Sequence, residues 1–258
     1  TIKVTVIPDN TISVGTTHYI VANNFSRLVS LVSGTDAEII NASGAVAYKL
    51  SDHTVDGTVT VDNNGGYTNI ANGYGINLIA SNDTQATGAI VATVIPDIAI
   101  IGTDYYVVAN DFIKEVKDVN PSNTSQVIDY ANAKAYKIGE VTTTRSSYGV
   151  DVSYGTPTYT NAVGNYPITF SVNNEITTAI TITATVVPND TVVGDTSYIT
   201  ANDFVILASD VDVINKNAQL IEKTNTAVHT LSDHQEDKNI TVIDDGGYTN
   251  KPGIYYIT

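Results

Sequence analysis

The chain of 258 residues contains no cysteine, no methionine and no tryptophan. Without cysteine there can be no disulfide framework, thiolate metal site, iron–sulfur cluster or cysteine nucleophile. Without Met and Trp, the bulk of any core falls to Ile, Val and Tyr. Cations are also scarce: 12 Lys and Arg stand against 27 Asp and Glu, a net charge of −15. Such a chain repels a phosphate backbone, so nucleic acid is excluded as a partner. No apolar run approaches the roughly 20 residues that cross a bilayer as a helix, so membrane insertion is not expected. Charged residues make up only 15%, which spreads the acidity over a neutral, Thr-, Asn- and Ser-rich surface. A hydrophobic content of 42% is enough to fill cores and argues against disorder.

What the chain does have is repetition. A Pro follows an apolar segment at Val6-Ile7-Pro8, Val94-Ile95-Pro96 and Val186-Val187-Pro188. Further on come Ala22-Asn23-Asn24-Phe25, Ala109-Asn110-Asp111-Phe112 and Ala201-Asn202-Asp203-Phe204. A third block reads Gly66-Tyr67-Thr68-Asn69, Thr158-Tyr159-Thr160-Asn161 and Gly247-Tyr248-Thr249-Asn250. The same order three times defines a unit of about 90 residues.

Each unit reads mainly as β. Residues 1–6 and 181–186 alternate polar residues with Ile2, Val4 and Val6 or with Ile182, Ala184 and Val186, the period of a half-buried strand. Residues 18–21, 105–108 and 197–200 supply the next strand of each copy, and 57–61 and 239–243 later ones. Between them lies a short helical turn. Thr35 and Glu38 have the spacing of a capping box, and Ser125 is placed to cap a turn carrying Val127, Ile128 and Ala131. Asn64-Gly65-Gly66 and Asp245-Gly246-Gly247 provide the positive φ angles of a connection.

The last segment is the most diagnostic. Tyr74, Tyr166 and Tyr255 each open an apolar strand, as does the tyrosine whose hydroxyl bonds upstream backbone in a tyrosine corner. About seven short strands in each unit fit two packed antiparallel sheets. With its Ala-Asn-Asp-Phe block, its Tyr before the sixth strand and its strand–Pro junctions, the chain resembles the tandem bacterial immunoglobulin-like repeats of Gram-positive surface adhesins and stalk proteins. The resemblance covers essentially the whole chain. It implies an all-β fold of tandem immunoglobulin-like sandwiches, a bacterial cell-surface location, and a structural or adhesive role. Related domains often carry Lys–Asn isopeptide bonds, but Lys49 and Lys137 have no assignable partner and Thr230 replaces them in the third copy.

The expected organisation is a closing strand at 1–8, repeats at 9–96 and 97–188, and a third repeat at 189–258 without its last strand. That phase has two explanations: an array cut mid-repeat, or a strand of Ile2, Val4 and Val6 that completes the last sandwich of an identical subunit, head to tail. Partners are then adjacent repeats or identical subunits, with a surface glycan or protein as ligand.

Catalysis is not expected. Ser51-Asp52-His53 and Ser232-Asp233-His234 contain triad residue types, but neighbours on a strand point to opposite faces, and Gly139-Glu140-Val141 replaces them in the second copy. His18 and His229 read as surface residues. No cofactor is required. Calcium is the metal that suits the chain, because hard cations take carboxylates and Asp9, Asp97, Asp190 and Asp195 gather at the repeat junctions. The competing function is a carbohydrate- or protein-binding module that uses Asp104, Tyr105 and Tyr106 as an exposed cluster.

Overall fold

The computed structural model describes residues 4–141, 147–173, 175–237 and 239–258. The chain forms two compact units, one of residues 1–109, 132–151 and 170–180, the other of 110–131, 152–169 and 181–258. The protein is all-β with short helical segments.

Seven strands lie within residues 9–96: β1 (Thr11–Val14), β2 (His18–Val21), β3 (Phe25–Leu28), β4 (Val46–Lys49), β5 (Val59–Asn63), β6 (Asn72–Ala80) and β7 (Asp83–Ile95). Helix α1 (Asp36–Ser43) connects β3 to β4. The strands make a three-stranded sheet, β1-β2-β4, and a four-stranded sheet, β3-β7-β6-β5. Period two explains which side faces in. Along β6, Tyr74, Ile76, Leu78 and Ala80 are buried while Gly75 and Asn77 are exposed. Ile20 and Ala47 of one sheet, Ile76, Leu78, Ile90 and Val94 of the other, and Ile39 of α1 form one apolar core. This is an immunoglobulin-like sandwich.

One pairing departs from the antiparallel expectation. Strand β3 runs parallel to β7, with Phe25 beside Ala92 and Leu28 beside Ile95. Strand β7 is thus central, since its other edge pairs antiparallel with β6, Tyr74 opposite Ala92. Alternation within a strand reports its faces and not its neighbour's direction.

The plan recurs. Strands β8 (Ile100–Ile101), β9 (Tyr105–Val108), β10 (Phe112–Glu115), β11 (Lys134–Lys137), β12 (Val150–Tyr154), β13 (Gly164–Val172) and β14 (Glu175–Val187) form the sheets β11-β9-β8 and β10-β14-β13-β12, with α2 (Thr124–Ala131) after β10. Again β10 is parallel to β14, Phe112 beside Ala184. Next come β15 (Val192–Val193), β16 (Ser197–Thr200), α3 (Lys216–Lys223), β17 (Ala227–Thr230) and β18 (Glu236–Asp237), whose strands form the sheet β15-β16-β17-β18. Residues 239–243, expected as a strand, are not in one.

All three tyrosine corners are made. The hydroxyls of Tyr74, Tyr166 and Tyr255 donate to the carbonyls of Ile70, Ala162 and Lys251 at 2.8, 2.8 and 2.7 Å. Each links residues four apart, so the strand start is held by a local bond. The cap of α1 is half as read: Thr35 Oγ1 accepts from the Glu38 amide at 3.3 Å. The Glu38 carboxylate turns instead to the amides of Ser33 and Gly34 and to the hydroxyl of Tyr67, at 2.8, 3.1 and 3.1 Å. Burial acts to raise its pKa, but these donors outweigh burial and hold it below the usual carboxylate value. In α2 the cap is Asn123, whose Oδ1 accepts from the Gln126 amide at 3.2 Å, and not Ser125.

The tyrosine at 67, 159 and 248 anchors the helix unequally. Tyr67 donates to Glu38 and Tyr248 reaches Gln219 of α3 at 3.5 Å. Gln126 of α2 instead donates to the hydroxyl of Tyr130. The Tyr159 hydroxyl is left buried without a partner, and burial pushes its pKa up to about 12. A bond to a charged acceptor contributes about 1.5–3 kcal/mol, whereas an unsatisfied buried donor costs about 1–3 kcal/mol. Tyr67→Phe is therefore expected to destabilise its repeat, and Tyr159→Phe to leave the protein unchanged or more stable. Urea denaturation of the two variants reads the opposite signs.

The N-terminal segment also differs from expectation. Ile2 lies outside the described residues, and residues 4–8 form no strand. Val4 is 77% and Val6 80% exposed. A strand needs a hydrogen-bonding neighbour as well as an alternating sequence.

Candidate functional site: a groove in the third repeat

The Ser-Asp-His clusters build turns. Asp52 Oδ1 accepts from the Thr54 amide and hydroxyl at 3.0 and 2.7 Å. His53 adopts φ +60° and its Nδ1 lies 3.0 Å from the Tyr19 hydroxyl. The second cluster repeats the arrangement: His234 has φ +57° and sits 3.2 Å from the Tyr198 hydroxyl, while Asp233 bonds Thr230 and the Gln235 amide. Among the described residues, each of these imidazoles meets a tyrosine hydroxyl. His18, expected at the surface, is buried, with Nε2 3.1 Å from Asp56 and Nδ1 2.8 Å from Thr17 Oγ1. His229 stacks on Tyr198 at 5.1 Å, where the first repeat stacks Tyr48 on Tyr19 at 5.3 Å. An imidazole standing in for a ring in a stack, or bonded to an acid 38 residues away, cannot be read from its neighbours in sequence.

The expected binding cluster is part of the structure itself. Tyr106 is fully buried and packs on Tyr136. Tyr105 is half-buried with its ring edge on Tyr148, 5.0 Å between centroids. The Asp104 carbonyl accepts from the Ile138 amide at 2.8 Å. These residues turn the chain into β9 and offer no exposed aromatic patch at Tyr106. Two of the four junction aspartates have protein partners. Asp97 Oδ1 accepts from the Ser30 amide and hydroxyl at 3.2 and 2.7 Å. Asp190 pairs with Lys117 at 3.1 Å. Asp9 and Asp195 are exposed. Among the described residues no three His, Asp or Glu side chains converge as a metal site.

Two acidic residues that sequence reading passed over matter more. Asp83 Oδ2, at the head of β7, accepts from the amides of Thr17 and His18 at 2.6 and 3.0 Å and from Thr17 Oγ1, while Oδ1 takes the Gln85 amide. The backbone bond from Thr17 leads the donors that hold its pKa down to about 2. Glu175, at the head of β14, accepts from the amides of Thr103, Asp104 and Tyr105 at 2.6, 3.1 and 3.1 Å, and its pKa is lowered first by Thr103. Both clasp the turn before the second strand of their repeat. The signal was an acid at the same repeat position. Because the Asp83 pKa lies below the unfolded value of about 3.9, its stabilisation is complete above that pH and lost as pH falls through about 2. Thermal melts between pH 6 and 2 should therefore show a loss of stability at the acid end that is smaller in Asp83→Ala, while Glu38 and Glu175, whose pKa values are also lowered, keep their share of it.

The third repeat carries a groove. In the first repeat the position between β3 and β6 is filled by β7; in the second, β14 lies between β10 and β13. The matching edges in the third repeat are residues 204–207 and 254–258, and neither is a strand. Between them runs a groove of about 690 Å³ lined by Phe204, Ile206, Leu220, Tyr248, Tyr255 and Ile257. Ile257 is half-buried, whereas Ile76 and Ile168 at the same repeat position are wholly buried. Val205, Leu207, Ile254 and Tyr256 stand exposed along the rims.

No family model and no curated protein matches the chain. Among solved structures, protocadherin gamma B7 extracellular cadherin domains 1–4 aligns over 86% of this chain and 60% of that one, at 10% identity and a TM-score of 0.21. The chain thus spans less than two thirds of that structure's length, and a likeness at that score carries no functional argument.

Proposed function

We propose that the protein is a non-enzymatic, extracellular structural and adhesive module: a run of immunoglobulin-like repeats, at 9–96, 97–188 and 189–258, that forms the stalk of a bacterial surface adhesin or fibre. The observation that carries the reading is that the side chains with chemistry are spent on the scaffold, in the same places in successive repeats. The tyrosine corners at Tyr74, Tyr166 and Tyr255 hold strand starts, the Asp83 and Glu175 clasps hold turns, and the Ser-Asp-His segments are turns. Successive repeats also brace one another. The Gly139 amide donates to Thr93 Oγ1 at 2.9 Å, and Asn165 Nδ2 donates to the carbonyls of Leu231 and Ser232 at 3.0 and 2.8 Å. Neighbour-to-neighbour bracing of this kind suits an array that bears load along its length. A surface free of Cys and Met also suits an oxidising exterior.

Single-molecule pulling tests the reading. Unfolding should proceed in discrete steps, each complete repeat of about 90 residues releasing about 30 nm of chain. One cooperative release of the entire chain, or turnover in a broad hydrolase screen, would overturn it.

A further inference from the structure

The contacts between successive repeats use the same positions but different residues. At the first contact the turn Gly139-Glu140-Val141 packs directly on β6. A Cβ on Gly73 would collide with the Glu140 carbonyl oxygen, and a Cβ on Gly75 would lie 3.4 Å from the Val141 side chain. At the second contact the matching turn is Ser232-Asp233-His234, and Asn165 stands before Tyr166 of β13 as Gly73 stands before Tyr74. Asn165 Nδ2 holds this turn by the carbonyls of Leu231 and Ser232 at 3.0 and 2.8 Å. Where the first contact packs a valine, the second therefore presents an imidazole. We propose that the contact between the second and third repeats is a pH-responsive joint, docked while His234 is neutral and released when its ring takes a proton.

The ring is held from several sides. His234 Nδ1 lies 3.2 Å from the Tyr198 hydroxyl of β16, and the Tyr198 ring stacks on His229 of β17. Nε2 is buried; the polar group facing it is the Gly164 carbonyl of β13, too poorly placed to make a hydrogen bond. The titratable groups around the ring are thus Tyr198, His229 and its own neighbour Asp233, and β13 adds only Gly164 backbone and the neutral Asn165. Asp233 is already engaged by the Thr230 hydroxyl and the Gln235 amide. Burial opposes a charge on the ring, and His229 adds to it; Asp233 and the Gly164 carbonyl favour the charge but do not offset burial. The docked imidazole therefore holds its proton less tightly than a free one, whose pKa is about 6.5. The sign follows: the released form binds more protons, so docking weakens as pH falls below about 6.5. With one proton involved, the docked-to-released ratio falls by at most about tenfold per pH unit. Val141 at the first contact has no proton to take.

The inference rests on the repeat reading of the fold and not on the adhesive role. Hydrogen exchange followed by NMR on the full chain between pH 8 and 5, with each rate divided by the intrinsic rate at that pH, tests it. Protection of the Asn165 side-chain amide, which bridges the joint, should fall by up to about tenfold per pH unit below 6.5. Protection of the Gly139 amide, which bonds Thr93 Oγ1 across the first contact, should stay constant and so separate joint release from general loss of stability. His234→Phe keeps a ring without the proton, and His234→Asn suits the φ of +57° at this position. Both should make the Asn165 protection independent of pH, whereas His234→Lys should lower it already at pH 8. His53→Asn, in the matching turn of the first repeat, should leave the response as it is. The proposal is overturned by constant Asn165 protection in the native chain, by an equal fall at Gly139, by a fall that persists in both neutral variants, or by unchanged protection in His234→Lys. Stepwise unfolding under force does not depend on this titration, so failure of the joint is separable from failure of the repeat reading.

Discussion

Ile76→Ala is expected to lower the stability of the first repeat by about 2–5 kcal/mol. Ile76 sits in the middle of β6, wholly buried among Ile20, Ile39, Leu78 and Ile90. Truncation removes its methyl and methylene groups and leaves a cavity that two hydrogen-bonded sheets cannot close. Domains of this size have about 5–15 kcal/mol in total, and each 1 kcal/mol moves the melting temperature by about 4–8 °C. The loss should therefore appear in calorimetry as a first-repeat transition lowered by ten degrees or more. Ile257→Ala changes the same position in the third repeat, where the side chain is half-buried beside the groove. In dilute solution it should cost about 1 kcal/mol or less, since little apolar area returns to water. Equal losses would mean that the third-repeat position is already closed.

Gly65→Ala has the second largest expected effect. Gly65 holds φ +61° between β5 and β6, and a Cβ there would collide with the carbonyl oxygen of Gly75. The left-handed backbone costs an L-residue about 1–2 kcal/mol, and forcing an atom into packed backbone adds about 1–3 kcal/mol. The adjacent Gly66→Ala separates the two contributions: φ is +78°, but no atom lies within 4 Å of the added carbon. It should show the conformational cost alone, and the difference in urea midpoints between the variants measures the collision. Gly246 and Gly247 have the same pair of environments, with Tyr256 in the place of Gly75.

What could be read from sequence was what nearby residues decide together. The segments expected as strands at 18–21, 105–108 and 197–200 are β2, β9 and β16. The tyrosine corner closes over four residues, so Tyr74, Tyr166 and Tyr255 announced it. Thr35 capped its helix for the same reason. The clasps at Asp83 and Glu175 span 65 residues or more and were missed, although their matching repeat positions were a usable signal. The burial of His18 depends on Asp56, a loop residue on the far side of α1, and no local pattern carries that. Tyr105 and Tyr106 looked alike as neighbours, yet the fold buries Tyr106 and leaves Tyr105 half-buried at the strand's start.

The threefold repeat and its period-two segments determined a repetitive, mainly β chain by themselves, because periodicity acts residue by residue. The tertiary structure alone decided which strands run parallel and which acids clasp which turns. The near-identical segments 90–96, 182–188 and 2–8 make the point. The first two contribute to β7 and β14, while residues 4–8 lie in no strand. The physical reason is that a strand is a property of a pair: its backbone hydrogen bonds are satisfied by a neighbour, and no sequence of seven residues contains its own.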